Sequence, residues 1–345
     1  MRGIIWILYL VIIITSILPV RTYAHKVYIL MSYRECDTCG GPQYRGVIDA
    51  LKLGGLQHLE IKSYFLRSKT LPRHLFKKRT KEAISIYRSF RPDVTVAIDD
   101  PAFQLMAPFF LKKKGKGDLV FTGTNISPED YNKRFHFHRE RWPTARITGV
   151  YEKLFVIEQL RFIHLIFGRN LGKIPILYSS DPIGKTVFRQ IVNEVKGTQY
   201  EYKIVPMEVS TLDEVKKKAL AIQSDAEAKA YFPVTIAVFK KSGDPTRIPL
   251  QEIAPILLNT IKKPDLTVNS TYVNLGFWGG VTVDFYQMGY DAGQMALLLL
   301  KGADIHSLKI KDADKSIITI NLKRNRELGL NLPPSILGLV DNFVE

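Results

Sequence analysis

Short apolar runs alternate along this chain with longer stretches in which apolar residues recur at helical spacing. A short run bounded by turn residues is typical of a buried strand, and the helical spacing is typical of an amphipathic helix. The sequence Asp99-Asp100-Pro101 predicts a further helix start, because an acid before proline suits a first turn. The alternation predicts strands at 26–32, 59–65, 93–98, 119–122, 146–151, 173–178, 200–206 and 228–232, and helices at 43–53, 77–90, 152–167, 183–195 and 212–223.

Strands that alternate with helices of this length favour parallel sheets with helices on both faces. The units are too many for one sheet of ordinary size, so the expected fold class is α/β with two doubly wound parallel-sheet lobes. Ligands of such sheets bind beyond the carboxyl ends of the strands, where loops lead into helices. Two lobes therefore predict a cleft between them.

The leader at 1–24 predicts export. Arg2 precedes an apolar run at 4–20, and Thr22-Tyr23-Ala24 ends it with small residues at the positions that a signal peptidase prefers. Cleavage after Ala24 would place the mature protein in the periplasm. The alternative is an uncleaved membrane anchor, since the run is at the short limit for a spanning helix.

The formal net charge of +16 is spread over separate segments, such as 77–79 and 216–218. A nucleic-acid surface would gather basic residues with aromatic ones on a single motif, and none is visible. We therefore expect no nucleic-acid partner and interpret these clusters as solvated faces.

The two cysteines, Cys36 and Cys39, lie close together in the sequence. In an oxidising compartment nearby thiols pair, so the expected state is a structural disulfide. A redox site is the alternative, since thiolates at this spacing have lowered pKa values in thiol oxidoreductases. No further ligands at zinc spacing accompany the pair, and no metal or other cofactor is predicted.

Hydroxyl, acidic and aromatic residues gather at the predicted strand ends. Helix starts with free N–H groups and hydroxyls suit a carboxylate, acids suit an amine, and aromatic rings stack on a flat or apolar group. The candidate ligand-binding residues are Ser32, Tyr33, Asp99, Asp100, Ala102, Thr124, Asn125, Ser179, Ser180, Asp181, Phe232 and Asp284.

Two other patterns resemble functional sites, but each lacks a residue that the site requires. The segment 180–186 ends in Gly184-Lys185-Thr186 like a phosphate-binding loop, but Ser179 stands where that loop requires glycine. His136 and His138 lack a third metal ligand and are interpreted as solvated. No catalytic constellation stands out, so the chain is not expected to be an enzyme.

Four segments in order resemble the substrate-binding proteins of bacterial ABC transporters, in the branch that includes tryptophan- and tyrosine-uptake proteins. The resemblance covers most of the chain after the leader. It rests on 91–98 with Pro101-Ala102, on Thr148-Gly149-Val150, on 280–285 with Gly289 and Leu300-Lys301-Gly302, and on 320–322 with Leu328-Gly329-Leu330 and Leu332-Pro333.

The resemblance implies a type I periplasmic binding-protein fold, in which a hinge joins the two lobes. By that analogy the first lobe is 25–148 plus 281–303, and the second is 149–280 plus 304–345. Three cleft positions depart from the family pattern: Asp100 stands where threonine is usual, Thr124-Asn125 replaces Asp-Pro, and Val234 falls near an expected aspartate.

The leading hypothesis is an exported, monomeric solute-binding protein. It would capture a small ligand, such as an amino acid or another small carboxylate, and deliver it to an ABC permease and its ATPase. One alternative is a sensory module that signals ligand occupancy to a membrane kinase or cyclase. Another is an exported thiol oxidoreductase that uses Cys36 and Cys39.

Overall fold

The computed structural model describes residues 24–112, 116–168, 171–234 and 236–345. The predicted leader lies outside these residues, apart from Ala24. The helices are α1 Gly40–Leu53, α2 Arg73–Phe90, α3 Asp100–Met106, α4 Pro128–Phe135, α5 Val156–Phe167, α6 Pro182–Val195, α7 Leu212–Ser224, α8 Leu250–Thr260, α9 Phe285–Leu300, α10 Leu322–Glu327 and α11 Pro334–Leu337.

The strands alternate with these helices as the apolar pattern predicts, and the α/β fold class is confirmed. They are β1 His25–Met31, β2 Leu59–Phe65, β3 Val94–Ile98, β4 Asp118–Thr124, β5 His138–Arg139, β6 Trp142–Pro143, β7 Ile147–Tyr151, β8 Ile174–Ser179, β9 Ile204–Val209, β10 Phe232–Pro233, β11 Ala237–Phe239, β12 Arg247–Pro249, β13 Gly279–Val283, β14 Lys311–Asp312, β15 Ser316–Asn321 and β16 Asn342–Val344.

The first lobe is built on a six-stranded parallel sheet in the order β14-β7-β4-β3-β1-β2. The neighbour order reverses at β1 and β3, where helices leave the sheet toward opposite faces. This is the point at which an open parallel sheet forms its ligand crevice.

The second lobe has a smaller parallel sheet, β10-β8-β9. A third sheet pairs β13 antiparallel to β15 and β15 parallel to β16. A continuous apolar core runs from Ile29 of the first sheet through Val283 and Met288 to Ile176 of the second. The lobes are therefore packed on one another where the connections cross.

Helices α1 and α2 begin earlier than predicted, at Gly40 and Arg73, and three other predicted elements also differ from the structure. Helix α5 begins at Val156 and not at 152, because Phe155 takes a left-handed φ of 58° and the Glu194 carboxylate accepts the N–H groups of Leu154 and Val156. Residues Glu201–Lys203 form a 3₁₀ turn before β9. In the segment at 228–232, only the pair Phe232–Pro233 joins a sheet as a strand.

None of the helices within the described ranges is long and apolar enough to cross a membrane.

Candidate functional site

Asp99 directly follows β3 and has a backbone conformation that non-glycine residues rarely adopt. Its φ is 74° and its ψ is 165°, and only 4% of the residue is exposed. Such a conformation persists only where the surroundings enforce it. The carboxylate accepts the Asp100 N–H at 2.7 Å and bonds the Tyr33 hydroxyl. The strained turn thus directs an acid to the carboxyl edge of the first sheet.

The Asp100 carboxylate organises the neighbouring loop. It accepts the N–H groups of Asn125 at 3.0 Å and Ile126 at 3.3 Å, and the Tyr131 hydroxyl at 2.6 Å. These bonds join the ends of β3 and β4 with α4. Asp100 therefore holds Asn125 in place, and most of its hydrogen-bonding capacity is used within the chain.

Glu152 is the third acid of this cluster, although sequence reasoning did not select it. It follows β7, the next strand of the sheet, and is 6% exposed. The Asn125 side chain bonds its carboxylate, and its main-chain carbonyl accepts the Gln190 amide of α6. Glu152 thus lies where the first lobe passes into the second.

Burial and mutual repulsion make these acids hard to ionise. Burial, and then the charge of Asp100, raise the pKa of Asp99 to about 7. Burial also raises the pKa of Asp100, and burial together with the charges of Asp99 and Asp100 holds the pKa of Glu152 well above its usual range. A cation bound among these three carboxyl groups would favour their ionised forms and so lower their pKa values.

Lys69 is the cation of this cluster. Its ammonium lies 3.1 Å from Asp37 and 3.5 Å from the centre of the Tyr33 ring, and its side chain remains 39% exposed. Burial acts to lower its pKa, but electrostatic interactions with Cys39, Asp37 and Asp99 outweigh burial and the pKa is raised. Lys69 is therefore charged and paired with Asp37, beside the buried acids.

The predicted Cys36–Cys39 disulfide is absent, because both thiols are free in the structure. Cys39 immediately precedes α1, and its sulfur accepts the Asn269 side-chain amide at 2.9 Å, whereas Cys36 lies on the exposed turn. The two side chains therefore lie in different surroundings. Cys39 contacts Asn269, and the resemblance assigns these two residues to opposite lobes. Burial raises the pKa of Cys39 to about 12, which opposes the thiolate that a redox site needs.

This arrangement predicts unequal thiol reactivity. Under alkylation with iodoacetamide at pH 8, Cys36 should react at least about tenfold faster than Cys39, since alkylation requires an accessible thiolate. Mass spectrometry of Cys36→Ser and Cys39→Ser variants measures each rate separately. Equal rates would contradict the partly buried position of Cys39.

Ser32 and Ala102 meet, but they bind one another. The Ser32 hydroxyl accepts the Ala102 N–H at 2.9 Å and donates to the Ile98 carbonyl at 2.8 Å. This pair ties the end of β1 to the start of α3. Thr124 is fully buried at the end of β4, and its hydroxyl has no partner within the described part of the chain.

The second-lobe candidates group together at the end of β8. Ser180 accepts the Ser210 hydroxyl at 2.8 Å, and Asp181 caps α6 by accepting the Gly184 N–H at 2.8 Å. Asp181 also pairs with Arg247 at 2.6 Å. Ser179 is buried directly beneath Gly184, so the resemblance to a phosphate loop reflects a helix cap.

Phe232 and Asp284 support the structure. Phe232 is 1% exposed and packs in the core. Asp284 caps α9 by accepting the Gln287 N–H at 3.0 Å, at the end of β13. The site that the contacts define combines Tyr33, Asp99, Asp100 and Asn125 with Glu152, Lys69, Cys39 and Asn269.

Sequence reasoning missed four of these roles. The rule that ligand residues follow parallel strands includes Glu152, but the sequence pattern assigned residue 152 to the start of a helix. The same rule reaches Lys69, in the loop after β2. Nothing in the local pattern identifies Asn269 or the orientation of Cys39, because both depend on contacts across the lobes. In the described ranges, no group of three His, Cys, Asp or Glu residues could hold a metal ion.

Comparison with known proteins defines the class. The profile of the family described as ABC transporter substrate binding protein matches residues 42–344. The chain therefore belongs to this family of substrate-binding proteins, which bind small molecules for ABC transporters. No curated protein matches significantly.

Solved structures share the fold over nearly the whole chain. A conserved domain protein from Vibrio cholerae is 18% identical, with a TM-score of 0.67 over 93% of this chain and 100% of that one. An ABC domain from Streptococcus pneumonia, in complex with L-Trp, is 19% identical, with a TM-score of 0.65 and the same coverage. A ligand-free, open substrate-binding protein with adhesive properties from Clostridium difficile is 14% identical, with a TM-score of 0.66 over 93% and 99%. The type I periplasmic binding-protein fold is thereby confirmed.

Proposed function

We propose that this protein is exported, captures a small amine-bearing ligand in the cleft between its lobes and delivers it to an ABC permease and its ATPase. The observation that carries the choice of ligand is the buried carboxylate cluster of Asp99 and Glu152 at the strand ends of the first sheet. Family membership supports the transport role. An amino acid is the first ligand class to test, and we propose a periplasmic monomer as the working form.

The hinge is proposed to lie near the predicted boundaries 148/149, 280/281 and 303/304, at the crossings that follow β7, β13 and β14, since β7 and β14 pair within the first sheet. Two contacts support this position. The Gln159 side chain accepts the Val281 N–H and donates to the Thr267 carbonyl at 3.2 Å. Gly280 has a φ of 119°, and a Cβ there would lie 2.3 Å from the Gln159 amide oxygen. The backbone at 280 therefore packs tightly against the Gln159 side chain. We propose that Gln159 acts as the pivot of the hinge on the second-lobe side.

A ligand screen tests the binding function. Amino acids, amines, sugars and small carboxylates are added to the purified protein and the melting temperature is measured. A ligand at 100 times its Kd should stabilise the folded state by about 2.7 kcal/mol and raise the melting temperature by several degrees. If no compound raises it, the binding function is wrong.

The Asp99→Asn variant tests the location of the site. It should weaken binding of an amine-bearing ligand at least about tenfold, since a charge-assisted hydrogen bond contributes more than a neutral one. Asp213→Asn is the matched control, because it removes the same charge from an aspartate whose side chain is 84% exposed on α7. Titration calorimetry should give unchanged affinity for the control, and equal affinities for both variants would exclude Asp99 from the site.

A further inference from the structure

The buried acids at the carboxyl edge of the first sheet have little counter-charge within the chain. Asp99, Asp100 and Glu152 are clustered, and Lys69 is the nearby cation, already paired with Asp37. Among the residues that the structure describes, no lysine or arginine nitrogen lies within 4 Å of these three carboxylates. A group of buried acids with so little counter-charge favours a ligand that brings positive charge.

The helix-start donors that would receive a ligand carboxylate are occupied. An amino acid needs such donors for its carboxylate, in addition to acids for its amine. Here the chain's own side chains accept them. The Ser32 hydroxyl accepts the Ala102 N–H. The Asp100 carboxylate accepts the N–H groups of Asn125 and Ile126, and the Asp181 carboxylate accepts that of Gly184.

One buried polar group remains unused beside the acids. The Thr124 hydroxyl is fully buried and has no partner within the described ranges. Thr124 precedes Asn125 and is paired in register with Tyr151, which precedes Glu152. A neutral hydroxyl at this strand end can accept a hydrogen bond from an ammonium group, whereas one hydroxyl is a poor substitute for the donors that a carboxylate requires.

We propose that the ligand is an organic cation, an amine that lacks a carboxylate, whose ammonium is bound by Asp99 and Glu152. This proposal rests on the function proposed above and narrows its ligand class. Asp100 contributes by holding Asn125 against Glu152, and so acts as a positioning residue. Lys69, with its partner Asp37, remains at the margin of the site.

Matched probe pairs test the proposal at constant pH and ionic strength. Tryptamine is compared with L-tryptophan, and agmatine with L-arginine, by titration calorimetry on the wild-type protein. Each pair differs only by the carboxylate. We expect the amine to bind at least tenfold more tightly than its amino acid in at least one pair. Equal or tighter binding by the amino acid in each pair that binds would overturn the proposal.

The outcomes separate the two levels of inference. If these four probes fail and the screen yields a neutral or carboxylate-bearing ligand, the cation proposal is wrong and the binding function stands. If the screen yields a different amine without a carboxylate, the proposal is supported. If nothing binds, both are wrong. For an amine that binds, Glu152→Gln should weaken affinity at least tenfold, and Asp213→Asn should leave it unchanged.

Discussion

Replacing Arg324 with methionine should lower the free energy of unfolding by about 3–5 kcal/mol, because it leaves a buried acid without its counter-charge. Arg324 is 1% exposed, and its Nε lies 3.1 Å from Oδ1 of the fully buried Asp265. The guanidinium also donates to the carbonyls of Leu258 at 3.1 Å and Ile261 at 2.7 Å. It therefore joins α10 to the end of α8, and urea unfolding of the variant measures the loss.

A double variant separates the charge effect from a simple loss of packing. Asp265→Leu combined with Arg324→Met removes both charges and should be more stable than Arg324→Met alone, because no uncompensated acid remains. Burial raises the pKa of Asp265 to about 6 even though Arg324 acts to lower it, which shows how costly this carboxylate is to ionise. If the double variant is no more stable than the single one, the buried charge is not the cause.

The sequence predicted the architecture because the alternation of strand and helix patterns repeats along the chain. Buried parallel strands read as apolar runs such as 94–98, and each helix between them carries its own amphipathic spacing. One misread element does not disturb the alternation. The errors occurred where a long-range contact decided the local structure, as when the Glu194 carboxylate delayed the start of α5 until Val156.

The site was only partly accessible for the same reason. Asp99 and Asn125 follow strands directly, so the rule for parallel sheets found them. The rule could not show that Asp100 and Asp181 bind backbone N–H groups of their own chain, or that Asn269 from a distant segment contacts Cys39. A sequence identifies which polar residues reach the cleft edge, while their free hydrogen-bonding capacity depends on the tertiary structure.

The ligand-free protein should lose stability as the pH rises from about 5 to about 8. The pKa of Asp99 is about 7 in the folded protein, against about 3.9 for an unfolded aspartate. Below the unfolded pKa both states bind the proton. Between the two values the folded state alone retains it, and the stabilisation present at low pH is lost as the pH rises through about 7. Between pH 5 and pH 8 this loss is on the order of 3 kcal/mol for Asp99, since about two pKa units fall within that range and one unit corresponds to about 1.4 kcal/mol.

Other buried acids change stability in the same direction. Burial raises the pKa of Glu194 to about 7 and that of Asp265 to about 6. The slope should therefore become smaller in Asp99→Asn without disappearing. The charged or titratable groups that interact with Asp99 are Tyr33, Cys39, Lys69, Asp100, Tyr131 and Glu152.

Urea unfolding at several pH values measures this slope. Asp213→Asn is again the control, because its exposed side chain should leave the slope unchanged. A bound cation should flatten the wild-type slope as Asp99→Asn does, because it favours the ionised carboxylates that burial disfavours. Stability that increased between pH 5 and pH 8, or an Asp99→Asn slope equal to that of the wild type, would contradict the arrangement of the buried acids.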